Sequence, residues 1–284
     1  MDWIGIERDG GFLGQRPEPL SDADFVRLAK FVKNKFGLDL TGRKAMVESR
    51  LVNYLMDRGF GSFTEYLRTI YDGGEEEAAN LINRLTTNYT YFLREQEHYD
   101  HFMHTFLPAM KNRIAAGELC IWSAGCSFGN EAYTFAACME DYFEGHGGSA
   151  CDRRILATDV SRNALIAAKT GLYAEAAMQV MPPQWKAKYF TEKNGFYTVN
   201  ERLRSQVVFK YHNLMQPIAF KKKFDLIVCR NVMIYFDKDT CSQLIRRFYA
   251  ATNPGGYLYI GHAEAMPPDT PYIREQAAVY KRDK

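Results

Sequence analysis

No run of about 20 apolar residues occurs in this 284-residue sequence, and Met1 to Leu20 lacks a basic-then-apolar layout. A membrane-spanning helix and a secretory leader are therefore not expected. The formal charge is only +2, too small for a surface built mainly to coat nucleic acid. The six cysteines (Cys120, Cys126, Cys138, Cys151, Cys229, Cys241) form no C-x-x-C pair and no zinc-type Cys/His spacing. They read as reduced thiols, small buried hydrophobes in a cytoplasmic protein. There is no G-x-x-x-x-G-K-[ST] loop and no complete G-x-G-x-x-G after the first apolar strand. A nucleoside ligand without a pyrophosphate thus fits better than a dinucleotide. No metal is expected: among His98, His101, His104, His146, His212 and His262 only the first three recur at helical spacing, and they read as a polar helix face.

With 46% hydrophobic and 25% charged residues, the composition is that of an ordinary globular protein. Its length suits one enlarged domain or two unequal ones. Residues 1–20 hold Gly10, Gly11, Gly14, Pro17 and Pro19 and read as a flexible leader. Residues 21–85 read as a helical domain. Ser21 with Asp24 signals a helix start, and Gly37 a stop. A second helix is expected from about Gly42 to Arg58, a third capped by Ser62, and a fourth opening on Glu75-Glu76-Glu77.

Residues 86–117 form a linker. From Glu118, short apolar runs alternate with helices: residues 119–122, 155–157, 226–229 and 257–260 read as buried strands. That alternation predicts a mostly parallel sheet covered on both faces. Within 118–284, a stretch at about 186–210 with Asn194-Gly195 at its centre predicts a small antiparallel insertion.

The informative turn is Ile121 to Tyr133, an apolar strand followed by Ala-Gly-Cys-Ser-Phe-Gly and then a helix beginning near Asn130-Glu131. Small residues there let a ligand approach the backbone at the carboxyl edge of the sheet. The next strand ends in Asp159, which can accept hydrogen bonds from ribose hydroxyls or cap the following helix.

Five segments then carry a resemblance: L-T-T-N-Y-T-Y-F-L-R-E (Leu85 to Glu95), W-S-A-G-C-S-F-G-N-E-A-Y (Trp122 to Tyr133), L-A-T-D-V (Leu156 to Val160), C-R-N-V-M-I-Y-F-D (Cys229 to Asp237) and N-P-G-G-Y-L-Y-I-G-H-A-E (Asn253 to Glu264). Together, and in this order, they resemble the bacterial chemotaxis-receptor glutamate O-methyltransferase family, CheR. The resemblance implies an α/β, Rossmann-like S-adenosylmethionine-dependent methyltransferase sheet domain with a small inserted antiparallel β-subdomain and an N-terminal all-helical domain. It implies methyl transfer from S-adenosyl-L-methionine to a glutamate γ-carboxylate, with S-adenosyl-L-homocysteine as product. By position, Asn88, Thr90 and Arg94 match the loop that closes over the donor. Glu131 and Asp159 match its acidic contacts, and Asn213, Leu214, Arg230 and Asn231 match further contacts. Arg94 and Tyr235 match residues beside the transferred methyl. Which carboxylate Arg94 docks, the donor's or the acceptor's, stays open.

The implied partner is the cytoplasmic domain of transmembrane chemoreceptors, with no nucleic acid and no direct membrane insertion, and the expected state is a monomer. Phe25 to Phe60 carries eight Lys or Arg against three acids. Within it, Arg43, Lys44 and Arg50 match the helix with which the family meets an acidic receptor surface. Two departures stand out. Asn130 replaces the first of two consecutive acids common in the family, leaving Glu131. The turn Glu192 to Phe196 is shorter and poorer in glycine than in members that dock a receptor tail pentapeptide, so tight tail binding is not expected. The alternatives are a methyltransferase of nucleic acid or small molecules, or a donor-sensing module without catalysis. The first would need an N/D-P-P-aromatic run where Arg230-Asn231-Val232-Met233 stands, and the second would lack Arg94 and Tyr235.

Overall fold

The computed structural model describes residues 16–146, 152 and 154–283. Most of the expected leader and Cys151 lie outside them. The chain divides into two compact units, one running to Asn34 and including Leu40–Leu85, the other comprising Lys35–Asp39 and Thr86–Lys284.

The first unit is helical. Helix α1 (Asp22–Phe36) is followed by α2 (Lys44–Asp57), α3 (Phe63–Tyr71) and α4 (Glu75–Leu85). Ser62 caps α3 by accepting a hydrogen bond from the Glu65 amide, satisfying a donor the helix itself cannot. Gly37 stops α1 in a left-handed conformation. Residues at helical spacing, among them Leu28, Val32, Val47, Leu51, Tyr66, Leu67, Leu81 and Leu85, are buried.

The second unit opens with short helical turns, α5 (Glu97–His101), α6 (Leu107–Ala109) and α7 (Lys111–Ala115). The sheet segment follows as β1 (Ile121–Ala124), α8 (Asn130–His146), β2 (Ile155–Asp159) and α9 (Arg162–Thr170). Next come β3 (Leu172–Ala174), α10 (Pro183–Tyr189), β4 (Phe190–Lys193), β5 (Phe196–Val199), α11 (Glu201–Arg204) and β6 (Val207–Tyr211). The chain closes with β7 (Phe224–Cys229), α12 (Lys238–Ala251), β8 (Thr252–Ile260), β9 (Ile273–Gln276) and β10 (Val279–Lys281).

Seven strands form one sheet in the order β6-β2-β1-β7-β8-β10-β9. The first five run parallel, and β10 is antiparallel to both β8 and β9. This is the expected α/β, Rossmann-like arrangement. Strand order reverses between β1 and β7, so the crevice beyond their carboxyl ends is where such a sheet takes a ligand.

Alternation along each strand gives the sheet two cores. Ile121, Leu226, Val228, Tyr257 and Tyr259 pack on one face with α8, whereas Trp122, Ile227, Cys229, Leu258 and Ile260 pack on the other with Leu244, Ile245 and Phe248 of α12. Trp122 is fully buried, and its indole N–H donates to Thr158 Oγ1 at 2.9 Å, so the large ring leaves no orphan donor. In N-P-G-G, Gly256 lets β8 pass the neighbouring backbone: a Cβ there would lie 2.9 Å from the carbonyls of Asn253 and Asp225.

The small antiparallel sheet has the order β3-β5-β4, with Asn194-Gly195 turning the β4-β5 hairpin at positive φ. It takes a strand from Leu172–Ala174, upstream of the expected 186–210, while Val207–Tyr211 joins the large sheet beside β2. Asp141 on α8 anchors this insertion by accepting from Trp185 Nε1, Lys188 Nζ and Tyr189 Oη, each at 2.6 Å. The five cysteines among the described residues are free, three of them buried. No helix among the described residues is long and apolar enough to cross a membrane.

Candidate active site

Several stretches of the second unit converge on an open cavity at the switch point of the sheet. Thr86 to Arg94 forms one wall, Gly125 to Ser127 with Glu131, Asp159 and Val160 another, His212 to Leu214 a third, and Arg230 to Phe236 the fourth. Of the residues singled out in the sequence, Asn88, Thr90, Arg94, Glu131, Asp159, Asn213, Leu214, Arg230, Asn231 and Tyr235 all line it.

Asp159 ends β2 and serves the turn as well as the cavity. Its Oδ2 accepts from the Ser127 amide and its Oδ1 from the Ser161 amide, both at 2.8 Å. Burial pushes its carboxyl up, and the amides of Ser161, Ser127 and Val160 oppose that shift. A carboxylate offers about four acceptor positions, so hydroxyl donors can still be received. Helix α9 is capped instead by Ser161, whose Oγ accepts from the Ala164 amide. Gly125, at φ 97°, cannot be replaced cheaply, since a Cβ there would stand 2.4 Å from Val232 Cγ2.

Glu131, in the first turn of α8, accepts from Ser123 Oγ at 2.7 Å and lies 3.4 Å from Arg230 Nη1. Burial raises its carboxyl, with the Arg230 guanidinium and the Ser123 hydroxyl pulling the other way. Asn130, the position where the family commonly has an acid, is buried. Asp159 is buried and Glu131 half-buried, and two such acids with raised carboxyls form a pocket that favours a ligand bringing hydroxyl donors and positive charge. S-adenosylmethionine carries both, a ribose with two hydroxyls and a sulfonium with an ammonium group.

Arg230 follows β7, and its guanidinium is almost wholly committed to the protein. Nε pairs with Glu95 Oε2 at 3.2 Å, Nη1 donates to Tyr99 Oη at 3.1 Å, and Nη2 donates to the Arg94 carbonyl. Glu95 was not singled out in the sequence, although it closes the first family segment. Its Oε1 faces Asn231 Nδ2 and the His262 amide, both at 3.3 Å. Burial alone would raise Glu95, but the His98 ring, the Arg230 guanidinium, the His262 amide and the Asn231 side chain outweigh it and hold its carboxyl at about 2.

Backbone strain concentrates here. Leu93 and Glu95, on either side of Arg94, have φ of 57° and 56°, and the cavity residues Ser127 and Asn231 have 49° and 58°. Non-glycine residues in this region cost about 1–3 kcal/mol each and persist only where surrounding bonds over-determine them. The Arg94 side chain turns back so that Nη1 donates to the Tyr89 carbonyl at 2.9 Å. Tyr235 sits in a 3₁₀ turn, Met233–Tyr235, and its carbonyl accepts from the Asp39 amide. Asn213 is pinned by a donation from Nδ2 to the Lys35 carbonyl at 2.6 Å.

The histidine triplet departs from the expected polar helix face. His98 and His101 are buried, and only His104 is exposed. His101 bridges Tyr259 Oη at 2.6 Å and Glu275 at 3.1 Å, while His98 stacks on Tyr259. The partners come from β8 and the β9-β10 pair, more than 150 residues away, which is why helical periodicity gave no sign of them. Among the described residues, Glu95, His98 and His262 bring potential ligand atoms within 4.8 Å of one another. Glu95 of this trio also pairs with Arg230 at 3.2 Å and with His98 Nδ1 at 3.4 Å.

The remaining predicted contacts lie in the first unit. Arg43 is exposed, Lys44 pairs with Asp22 at 2.6 Å, and Arg50 donates to the Leu85 carbonyl at 2.6 Å at the end of α4.

Residues 88–280 match the family model described as CheR methyltransferase, SAM binding domain, and residues 23–86 match the CheR methyltransferase all-alpha domain. Over 267 residues the chain is 39% identical to a chemotaxis protein methyltransferase of Borreliella burgdorferi, covering 92% of this chain and 94% of that protein. It is 35% identical to the chemotaxis protein methyltransferase of Escherichia coli, with 86% and 85% covered, and 32% identical to chemotaxis protein methyltransferase 1 of Pseudomonas aeruginosa, with 87% and 91% covered.

The loop that carries Arg230 to Tyr235 hangs on Glu264, another residue the sequence did not mark out beyond its motif. Its Oε1 accepts from the Val232 and Met233 amides at 2.8 and 2.6 Å, and its Oε2 from the Gly261 amide at 2.5 Å. Glu264→Ala orphans three amides, and each buried orphan costs about 1–3 kcal/mol. Urea titration should therefore show a loss of at least about 3 kcal/mol for Glu264→Ala and roughly half that for Glu264→Gln. A loss below about 0.5 kcal/mol would mean the loop holds without this carboxylate.

Proposed function

Since the chain belongs to the CheR methyltransferase family, we propose that it is a protein-glutamate O-methyltransferase that transfers a methyl group from S-adenosylmethionine to glutamate side chains of chemoreceptors. The observation that carries this reading is the single cavity on which both acids, Glu131 and Asp159, and the pair Arg94 and Tyr235 converge. When bound, the donor supplies an electrophilic methyl on a positively charged sulfur. The residues of the chain bind, orient and exclude water.

Asp159 accepts the ribose hydroxyls, and Glu131 faces the donor's cationic end. Asn88, Thr90, Asn213, Leu214 and Asn231 shape the rest of the donor site, and Arg230 acts by fixing Glu131 and the Arg94 carbonyl. The acceptor glutamate has an ordinary pKa near ~4.3 and is a carboxylate at neutral pH, so no general base is required. Rate then comes from aligning one carboxylate oxygen with the methyl carbon and sulfur. An Arg docks a carboxylate and a Tyr hydroxyl steers one of its oxygens, and these roles fall to Arg94 and Tyr235. Receptor encounter is steered by the basic region of α2 around Arg43 and Lys44, with Arg50 bracing α2 against α4. The short two-residue hairpin turn at Asn194-Gly195 fits a protein that works without docking a receptor tail pentapeptide.

Incubation with methyl-labelled S-adenosylmethionine and receptor-bearing membranes should place label on receptor in a form that alkali releases as volatile methanol. Stable label, or label in RNA or DNA, would instead support the rival methyltransferase reading. Asp159→Ala should weaken donor binding by about 1.5–3 kcal/mol for each hydrogen bond lost, ten-fold or more in Kd by calorimetry. An unchanged Kd would remove Asp159 from the site. Calorimetry with a receptor tail pentapeptide should detect no tight complex, and micromolar binding would overturn tail independence.

A further inference from the structure

Along the segment 87–92 the burial alternates. Thr87, Tyr89 and Tyr91 are exposed, Asn88 and Thr90 are half-buried, and Phe92 is fully buried. A period of two puts Asn88, Thr90 and Phe92 on the inward side and the two tyrosines on the outward side. Outward positions of a loop ordinarily carry polar residues, yet here they carry aromatic rings exposed by 71% and 38%. Both residues also line the cavity, so they stand at its mouth. Their rings meet edge to face with centroids 5.9 Å apart, and the Arg94 guanidinium lies 5.7 and 5.6 Å from the two centroids.

From this geometry we infer that Tyr89 and Tyr91 form the acceptor-side recognition surface of the protein substrate, a peptide segment that presents its carboxylate toward Arg94 and lays neighbouring aliphatic side chains on the two rings. The inference rests on the methyltransferase reading above and adds to it a pair of specificity-determining residues. Aromatic side chains with one polar end give large contact area at small entropic cost, which is why such residues dominate protein recognition sites. A peptide is favoured over a nucleic acid for two reasons. The rings are inclined at 61° and leave no parallel slot for a base, and Glu131 and Asp159 make the cavity behind them unfavourable for phosphate. Asn88 and Thr90, the residues of the segment assigned to the donor, are the half-buried positions, so changes at Tyr89 and Tyr91 leave those contacts in place.

The test uses the full-length protein, a soluble cytoplasmic fragment of a chemoreceptor as acceptor, and Tyr89→Ala, Tyr91→Ala, the double Ala variant and the double Phe variant. Each Ala change should raise KM for the receptor fragment at least about five-fold, with kcat and the calorimetric Kd for S-adenosylhomocysteine within two-fold of wild type. The double Phe variant, which keeps both rings, should remain close to wild type. Unchanged KM in the double Ala variant would overturn the inference. So would an equal loss of donor affinity, which would place the tyrosines on the donor, or competition by a single-stranded oligonucleotide that the Ala variants abolish. Absence of wild-type turnover on receptor, with donor binding intact, would sink the underlying reading and this inference with it.

Discussion

The buried guanidinium of Arg230 is the interaction on which the rest of the site depends. Its side chain is 1% exposed, and a charge in that position would cost several kcal/mol if it lacked partners. Glu95, Tyr99, the Arg94 carbonyl and Glu131 supply them. They come from three stretches: the loop after α4 (Arg94 and Glu95), α5 (Tyr99) and the first turn of α8 (Glu131). One planar donor group therefore ties the Arg94 loop and Glu131 to the end of β7. A lysine, with a single point of charge, could not reach all of them in these directions.

That arrangement depends in turn on how β7 ends. Strands β1 and β7 run side by side with their carboxyl ends together, and the chain leaves them in opposite senses, toward α8 and toward α12. The turns that leave the two strands carry strained residues, Ser127 on one side and Asn231 on the other. Glu264 holds the Asn231 side by its amides and Asp159 holds the Ser127 side by its amide. Two carboxylates thus brace the two lips of the same cleft.

Much of this was legible in the sequence because the relevant signals are local. Ser62 as a cap, Gly37 as a stop, Asn194-Gly195 as a hairpin turn and the strand-to-helix turn at Gly125 all act over a few residues, and each stands where it was expected. Signals that depend on distant partners were not legible. His98 and His101 looked like a polar face because their acceptors lie on the final strands. The small sheet was placed too late in the chain, since Leu172–Ala174 gives no strand signal until it meets β5. Glu95 and Glu264 stood inside quoted motifs without a role, because what they do is accept hydrogen bonds from backbone and guanidinium groups that only the fold assembles.

The same guanidinium also explains why two nearby acids behave differently. Glu95 gathers four partners, Arg230, His98, Asn231 and the His262 amide, and stays ionised far below the usual range. Glu131 lies at the longer distance of 3.4 Å from Arg230 and has one hydroxyl besides, so burial prevails and its carboxyl is raised. Arg230 is therefore neutralised by both acids, of which Glu131 alone lines the cavity. A second cation arriving in the cavity is attracted by Glu131 without having to compete for Glu95.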